Sequence, residues 1–229
     1  NGSGVRGDLK AVLKAILLDP EALGAANLTS TSFGKLRSPV LRVAQWGRTF
    51  NATSLQGTWK MRLSDWSPMY DIGQYPLDPP SVFGYYRPGY VPPGTAMAAN
   101  GATAPEFQIV NESLIAGWAN LVPSLAYQGV YVRAPELPYS PVDSTPTDGY
   151  DIAPDYSVEK KMVADPYALV SRLNLLLCAG QMSDATVKLV GDALKADKIT
   201  DTSSDDFKQI HVGRALTFVM CCPEYLAQL

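Results

Sequence analysis

The last third of the chain repeats a pattern in which a capping residue is followed by apolar side chains three or four residues apart. Asp165 and Pro166 begin the first of these segments, and Gly180 can end it. Ser183 begins the second, and the run TDTSSDDF at 200–207 begins the third. No segment of the sequence shows the strict alternation of a half-buried strand. The sequence therefore predicts an all-α, bundle-like domain with long irregular loops.

Three earlier segments are also predicted to be helical. Residues 9–17 follow Asp8, a candidate N-cap, and residues 36–50 carry a second apolar stripe. Pro105 suits the first turn of a third helix, which we expect Pro123 to break.

Three arginines, Arg37, Arg42 and Arg48, lie mostly off the apolar stripe of residues 36–50. Arginines in such positions usually form a solvated face. They could alternatively bind carboxylates of a region outside this sequence.

Residues 51–104, which we call the aromatic loop region, lose helical periodicity and are rich in Gly, Pro, Tyr and Trp. Loops of this length without regular structure tend to be functional or tightly packed. The centre of the region is SVFGYYRPGYVPPG at 81–94, where prolines and glycines rule out a long helix or strand. The rings could cover the core as a lid, or they could face a ligand.

We predict a combination of these two roles. Phe83 and one tyrosine of the segment 81–94 are expected to be buried as anchors, while its remaining tyrosines, with Trp66, line a groove. The candidate binding residues are Trp66, Tyr85, Tyr86 and Tyr90.

A second irregular segment, residues 133–155, is rich in Pro and Asp and is predicted to be an exposed excursion. Its run DSTPTDGYD gathers oxygen ligands that calcium prefers, but the spacing does not match an EF-hand. We therefore interpret the run as a solvated loop.

The composition suits one globular domain over residues 1–229, with 46% hydrophobic and 18% charged residues. The formal net charge of −3 and the absence of a basic run disfavour nucleic acid as a partner. No apolar stretch of the sequence reaches transmembrane length. There is no phosphate-binding or dinucleotide fingerprint, and we predict no cofactor and no metal site.

The three cysteines, Cys178, Cys221 and Cys222, do not form a disulfide framework or a paired zinc-binding motif. We interpret them as small core residues near helix ends. Because adjacent cysteines rarely bridge each other, we expect at least one free thiol.

Candidate catalytic residues are sparse. His211, the one histidine, lies within a predicted helix, where a surface or boundary position is the usual role. A pair of carboxylates could support hydrolysis, and Asp65, Asp71 and Glu106 are the candidates. Helix caps and turn formers are the simpler interpretation of these acids.

Several segments in order resemble one known family. They include GVRGDLKAVLKAILLDPEA, GKLRSPVLRVAQWGRTFNATS, PPSVFGYYRPGYVPPG, LVSRLNLLLCAGQMSDAT and FVMCCPEYLAQL. This series resembles the C-terminal part of a large bacterial family known as domain of unknown function 1800. Cys222 stands where the family typically has a serine before Pro-Glu-Tyr-Leu.

The resemblance implies a mostly helical, exported protein of the envelope or the cell exterior. It carries over no catalytic residues, and it implies that an N-terminal region precedes this sequence. We therefore expect the apolar stripes of residues 9–17 and 36–50 to be unusually exposed.

The expected function is a scaffold or binding module at the cell envelope. The alternative is an envelope hydrolase whose loop carboxylates are completed by the N-terminal region. The expected partners are that N-terminal region and a protein or polysaccharide of the envelope, without a membrane span in this segment.

Overall fold

The computed structural model describes residues 4–30, 33–55, 57, 59, 68–133 and 148–228, and it is mostly helical. Its α-helices are Leu9–Leu17 (α1), Pro20–Leu23 (α2), Pro39–Thr49 (α3), Ala96–Ala99 (α4), Glu112–Gln128 (α5), Pro166–Cys178 (α6), Asp184–Lys195 (α7), Asp205–Cys221 (α8) and Pro223–Leu226 (α9). Its strands are Lys35–Leu36 (β1), Thr53–Ser54 (β2), Val130–Arg133 (β3), Asp148–Ala153 (β4) and Ala227–Gln228 (β5).

The helices of the last third begin at the predicted capping residues. The Asp165 carboxylate accepts a hydrogen bond from the Ala168 amide at 3.1 Å, and the Ser183 hydroxyl accepts one from Thr186 at 3.1 Å. Each bond satisfies an amide that has no partner within its helix. At the end of α6, Gly180 adopts a φ of 79°, as predicted for a helix stop.

Helix α8 is central, and it packs against α5, α6 and α7. Its buried side chains are Val212, Ala215, Leu216, Val219 and Met220. They pack with the apolar faces of α5 and α6 into one hydrophobic core.

Helix α5 differs from the prediction at both ends. Residues Pro105–Ile109 form a 3₁₀ helix, and α5 starts only after Asn111, whose side chain accepts from the Leu114 amide at 3.0 Å. The helix then continues through Pro123, which the sequence predicted as a break. Pro123 is exposed, so the solvent can satisfy the helix carbonyl that loses its donor there.

The structure corrects the all-α prediction by adding two small sheets. Strands β2, β4 and β3 form one antiparallel sheet in that order, and β1 pairs with β5. Strands β1, β2 and β5 contain two residues each, which is too short for an alternating pattern to stand out in the sequence. Strand β4 also occupies the end of the predicted exposed excursion, and its Asp151 and Ile152 are buried. Residues 134–147 of that excursion lie outside the described residues.

The two apolar stripes differ in their exposure to solvent. The α1 stripe is exposed as expected, with exposed fractions from 49% for Val12 to 72% for Leu9. The second stripe is not, because Val43, Trp46 and Phe50 of the α3 region are buried against the rest of the domain. None of the helices in the described ranges is long and apolar enough to cross a membrane.

Candidate functional site

Two arginines near the start of α3 are buried, so the expectation of a solvated face is wrong for them. Arg37 is 9% exposed and Arg42 is 7% exposed, whereas Arg48 is exposed as predicted. The Arg37 guanidinium donates to the Leu177 carbonyl at 3.1 Å and lies over the Tyr225 ring at 4.6 Å. These contacts fix Arg37 between the end of α6 and α9.

The Arg42 side chain has fewer partners. Its Nε donates to the Arg37 carbonyl at 2.8 Å, and its guanidinium carbon lies 5.1 Å from the centre of the Trp118 ring. Burial lowers the pKa of Arg42 to about 10, so the side chain is still charged at neutral pH. Among the described residues, no carboxylate forms an ion pair with it.

Arg42 borders a cavity of about 150 Å³, which we call the Arg42 pocket. The pocket lies between β1 with the start of α3, residues 105–110 with the first half of α5, α9, and two segments of the aromatic loop region. Its walls are mainly apolar and include Leu36, Ile72, Val110, Leu114, Trp118 and Leu226. The polar side chains of the lining are Ser38, Arg42, Tyr86 and Glu106.

Tyr86 is the predicted binding residue that lines this pocket. Its hydroxyl lies 2.8 Å from the Ser38 hydroxyl and accepts from the Gln74 amide at 3.0 Å. Gln74 is buried, and its carbonyl oxygen accepts from the Val40 amide at 3.1 Å. This network attaches the aromatic loop region to the first turn of α3 and fixes one wall of the pocket.

Tyr85 and Tyr90, two other predicted binding residues, are not among the residues that line the pocket. The Tyr75 amide donates to the Tyr85 hydroxyl at 3.2 Å, and the same hydroxyl donates to the Tyr75 carbonyl. Tyr90 is half-buried, and its carbonyl accepts from the Ala104 amide at 2.9 Å. Trp66 lies outside the described residues. The binding roles of these residues therefore stay predictions.

Phe83 is not the buried anchor that the sequence suggested. Its side chain is 87% exposed. The Gly84 amide bonds to the Ser81 carbonyl at 3.0 Å, and the Phe83 amide bonds to the Ser81 hydroxyl at 3.2 Å. This tight turn leaves the Phe83 ring in solvent, while Tyr85 and Tyr86 attach the loop through their hydroxyl groups.

Asp71 is the carboxylate whose local role is clearest. It accepts from the Gly73 amide at 2.7 Å and from the Tyr75 hydroxyl, which is the behaviour of a turn former. Burial, together with this hydrogen bond, raises the pKa of Tyr75 above its usual range. Glu106 borders the Arg42 pocket, and Asp65 lies outside the described residues.

His211 is buried, so the expectation of a surface or boundary position is wrong. Its Nδ1 lies 3.0 Å from a carboxylate oxygen of Asp197, which also binds Arg214. Its Nε2 is buried and has no hydrogen-bond partner among the described residues. His211 is not part of the pocket lining, and so it does not supply a base there.

The cysteines occupy the ends of α6 and α8, as predicted. Cys178 and Cys222 are buried, Cys221 is half-buried, and all three are free thiols in the structure. A hydrogen bond to Cys222, together with burial, raises the pKa of Cys178. Within the described ranges, no cluster of three or more His, Cys, Asp or Glu residues is arranged to hold a metal ion.

Sequence reasoning missed the pocket because its lining comes from distant parts of the chain. Arg42 of α3 and Trp118 of α5 are 76 positions apart in the sequence, yet the fold places the Arg42 guanidinium over the Trp118 ring. The arginines beside the apolar stripe of residues 36–50 were the available signal, and a solvated face was our usual interpretation of them.

Comparison with known proteins identifies the family. The family model described as "Protein of unknown function (DUF1800)" matches residues 2–227. No curated protein and no solved structure matches the chain significantly. Because the match covers nearly the whole sequence, the chain belongs to the DUF1800 family.

Proposed function

We propose that this protein is an exported binding module of the bacterial cell envelope and that the Arg42 pocket is its ligand site. The observation that carries the proposal is a mainly apolar cavity that contains a buried charge and is bordered by Tyr86 and Trp118. Apolar pockets with a few converging polar groups are the usual form of a ligand site.

The size of the pocket limits what it can hold. Typical sites for larger ligands have volumes of about 300–1,000 Å³. A cavity of about 150 Å³ lined by apolar side chains instead suits one aromatic ring or a short branched chain. The lining therefore favours an apolar group over a sugar ring, whose hydroxyls would need more polar partners than the walls supply.

Tyr86 of the aromatic loop region supports a binding role because its hydroxyl group is held in place at the pocket. Tyr86 is fixed by Ser38 and Gln74, so a wall of the site is formed before any ligand arrives. A preformed wall lowers the entropic cost of binding.

The hydrolase alternative has less support from the described geometry. Asp71 is engaged by Gly73 and Tyr75, and Glu106 is the one described carboxylate in the pocket lining. A glycosidase-type mechanism needs a second carboxylate beside the first.

Binding at the pocket can be tested with 2-phenylethanol, a neutral probe with one ring, by ligand-observed NMR. We expect saturable binding to the 229-residue chain and its loss in Leu114→Trp, because the larger side chain fills the pocket. Leu189→Trp is the matched control, since Leu189 is 71% exposed on α7 and outside the pocket lining. Equal binding by both variants would place the probe elsewhere and refute the site.

The envelope setting rests on the family resemblance and needs its own test. Fractionation of the native bacterium, followed by immunodetection, should place the protein in the periplasm, on the outer surface or in the medium. Recovery in the cytosol alone would refute that part of the proposal. The partners expected from the resemblance stay predictions.

A further inference from the structure

Arg42 is a buried cation whose terminal nitrogens have no protein acceptor in the described part of the chain. Nε is bonded to the Arg37 carbonyl, but no hydrogen bond from Nη1 or Nη2 to a described residue is formed. The residue is 7% exposed, and it lines the pocket. Its remaining hydrogen-bonding capacity is therefore available to the cavity.

An arrangement of this kind is costly without an anion. Burial of an unpaired charge costs free energy, and the face of Trp118 offsets only part of that cost. Two other arginines show how the same fold satisfies a guanidinium. Arg37 donates to the Leu177 carbonyl, and Arg172 pairs with Glu159 at 2.6 Å. Nη1 and Nη2 of Arg42 have no such partner among the described residues.

We propose that Arg42 binds the carboxylate of a small apolar acid that carries one aromatic ring or a short branched chain. This inference rests on the proposed function, and it names the ligand class of the same site. The planar guanidinium matches a carboxylate through two parallel hydrogen bonds. The apolar walls, including Leu114 and Val110, would then enclose the rest of the ligand.

Glu106 limits the negative charge of the ligand that the pocket accepts. It is half-exposed, lines the same pocket, and forms no ion pair with Arg42 within 4.0 Å. Its carboxylate repels a bound anion and favours ligands with a single negative charge. Replacement of Glu106 by Gln should therefore tighten the binding of a carboxylate and leave a neutral probe unaffected.

The test compares phenylacetate with 2-phenylethanol, two probes of similar size that differ in charge. For the wild-type chain we expect phenylacetate to bind at least about tenfold more tightly than 2-phenylethanol, because a charge-assisted bidentate contact replaces a neutral one. In Arg42→Met the ratio of the two affinities should fall to about one while 2-phenylethanol still binds. The matched control Arg48→Met, an exposed arginine of the same helix, should keep the wild-type ratio.

The outcomes separate this inference from the proposed function. Equal affinities for the two probes in the wild type would overturn the carboxylate inference and leave the pocket as a ligand site. If neither probe binds, both the carboxylate inference and the proposed ligand site are overturned. If Arg42→Met does not fold, Arg42→Lys serves in its place, because lysine keeps the charge but lacks the planar guanidinium. An unchanged ratio of the two affinities in Arg42→Lys would also contradict the inference.

A peptide C-terminus could present the same chemistry as a free acid. N-acetyl-glycyl-phenylalanine and its C-terminal amide distinguish the two sources. Weaker binding of this peptide acid than of phenylacetate supports a free small acid as the ligand. Tighter binding of the peptide acid than of phenylacetate would overturn the assignment to a free acid.

Discussion

Gly117 offers a sharp test of how the aromatic loop region docks onto α5. A Cβ atom built at this position would lie 1.8 Å from the Asp71 carbonyl oxygen and 2.8 Å from its carbonyl carbon. Both atoms belong to the backbone, so no side-chain rotation can relieve the overlap. In Gly117→Ala the loop and the helix would have to separate by about 1.6 Å to restore an ordinary contact of 3.4 Å.

The magnitude follows from two opposing effects. Replacement of Gly by Ala inside a helix favours folding by about 1 kcal/mol. Forcing an extra carbon into packed backbone costs about 1–3 kcal/mol and occasionally more. Because this overlap is with backbone atoms, we expect the upper part of that range and a net loss of about 1–2 kcal/mol in the free energy of unfolding.

Gly213 supplies the matched control on α8. It is also buried within a helix, but a Cβ atom there would lie 3.5 Å from its nearest neighbour, the Tyr127 backbone. Gly213→Ala should therefore be neutral or stabilising by up to about 1 kcal/mol. Urea denaturation of the two variants measures the difference, and equal stabilities would refute the close packing of α5 on the Asp71 segment.

Two further comparisons test the described packing by urea denaturation. Phe83→Ala should change the free energy of unfolding by less than about 0.5 kcal/mol because the Phe83 ring is exposed. Tyr86→Phe should lower the free energy of unfolding by about 1–3 kcal/mol because buried Gln74 loses a hydrogen-bond partner. A larger loss for Phe83→Ala than for Tyr86→Phe would contradict the observed loop geometry. Leu13→Gln on the exposed stripe of α1 should likewise be nearly neutral, whereas Leu173→Ala in the core should cost about 2–5 kcal/mol. Similar losses for both would show that the α1 stripe is covered in solution.

Sequence patterns predicted the helices of the last third well because their signals are local. Asp165 and Ser183 bind amides three residues away, so the residues that define each helix start are neighbours in the sequence. The small sheets could not be predicted in the same way. Strand β2 has two residues and pairs with Ala153 and Ile152, so the partner of the strand lies about a hundred positions away.

The candidate site was harder to predict because the environment of a side chain is not local. Arg42 and Arg48 are both arginines on one helix, yet the first is buried over Trp118 and the second is in solvent. The difference depends on α5 and on the loop held by Tyr86, which no pattern within α3 encodes. The aromatic residues of the loop show the same limit on prediction from the sequence. Phe83 and Tyr86 are three residues apart, but only Tyr86 has a hydroxyl group that can form hydrogen bonds with Ser38 and Gln74. The hydroxyl group of Tyr86 was therefore a better guide to how the loop docks than the aromatic ring itself.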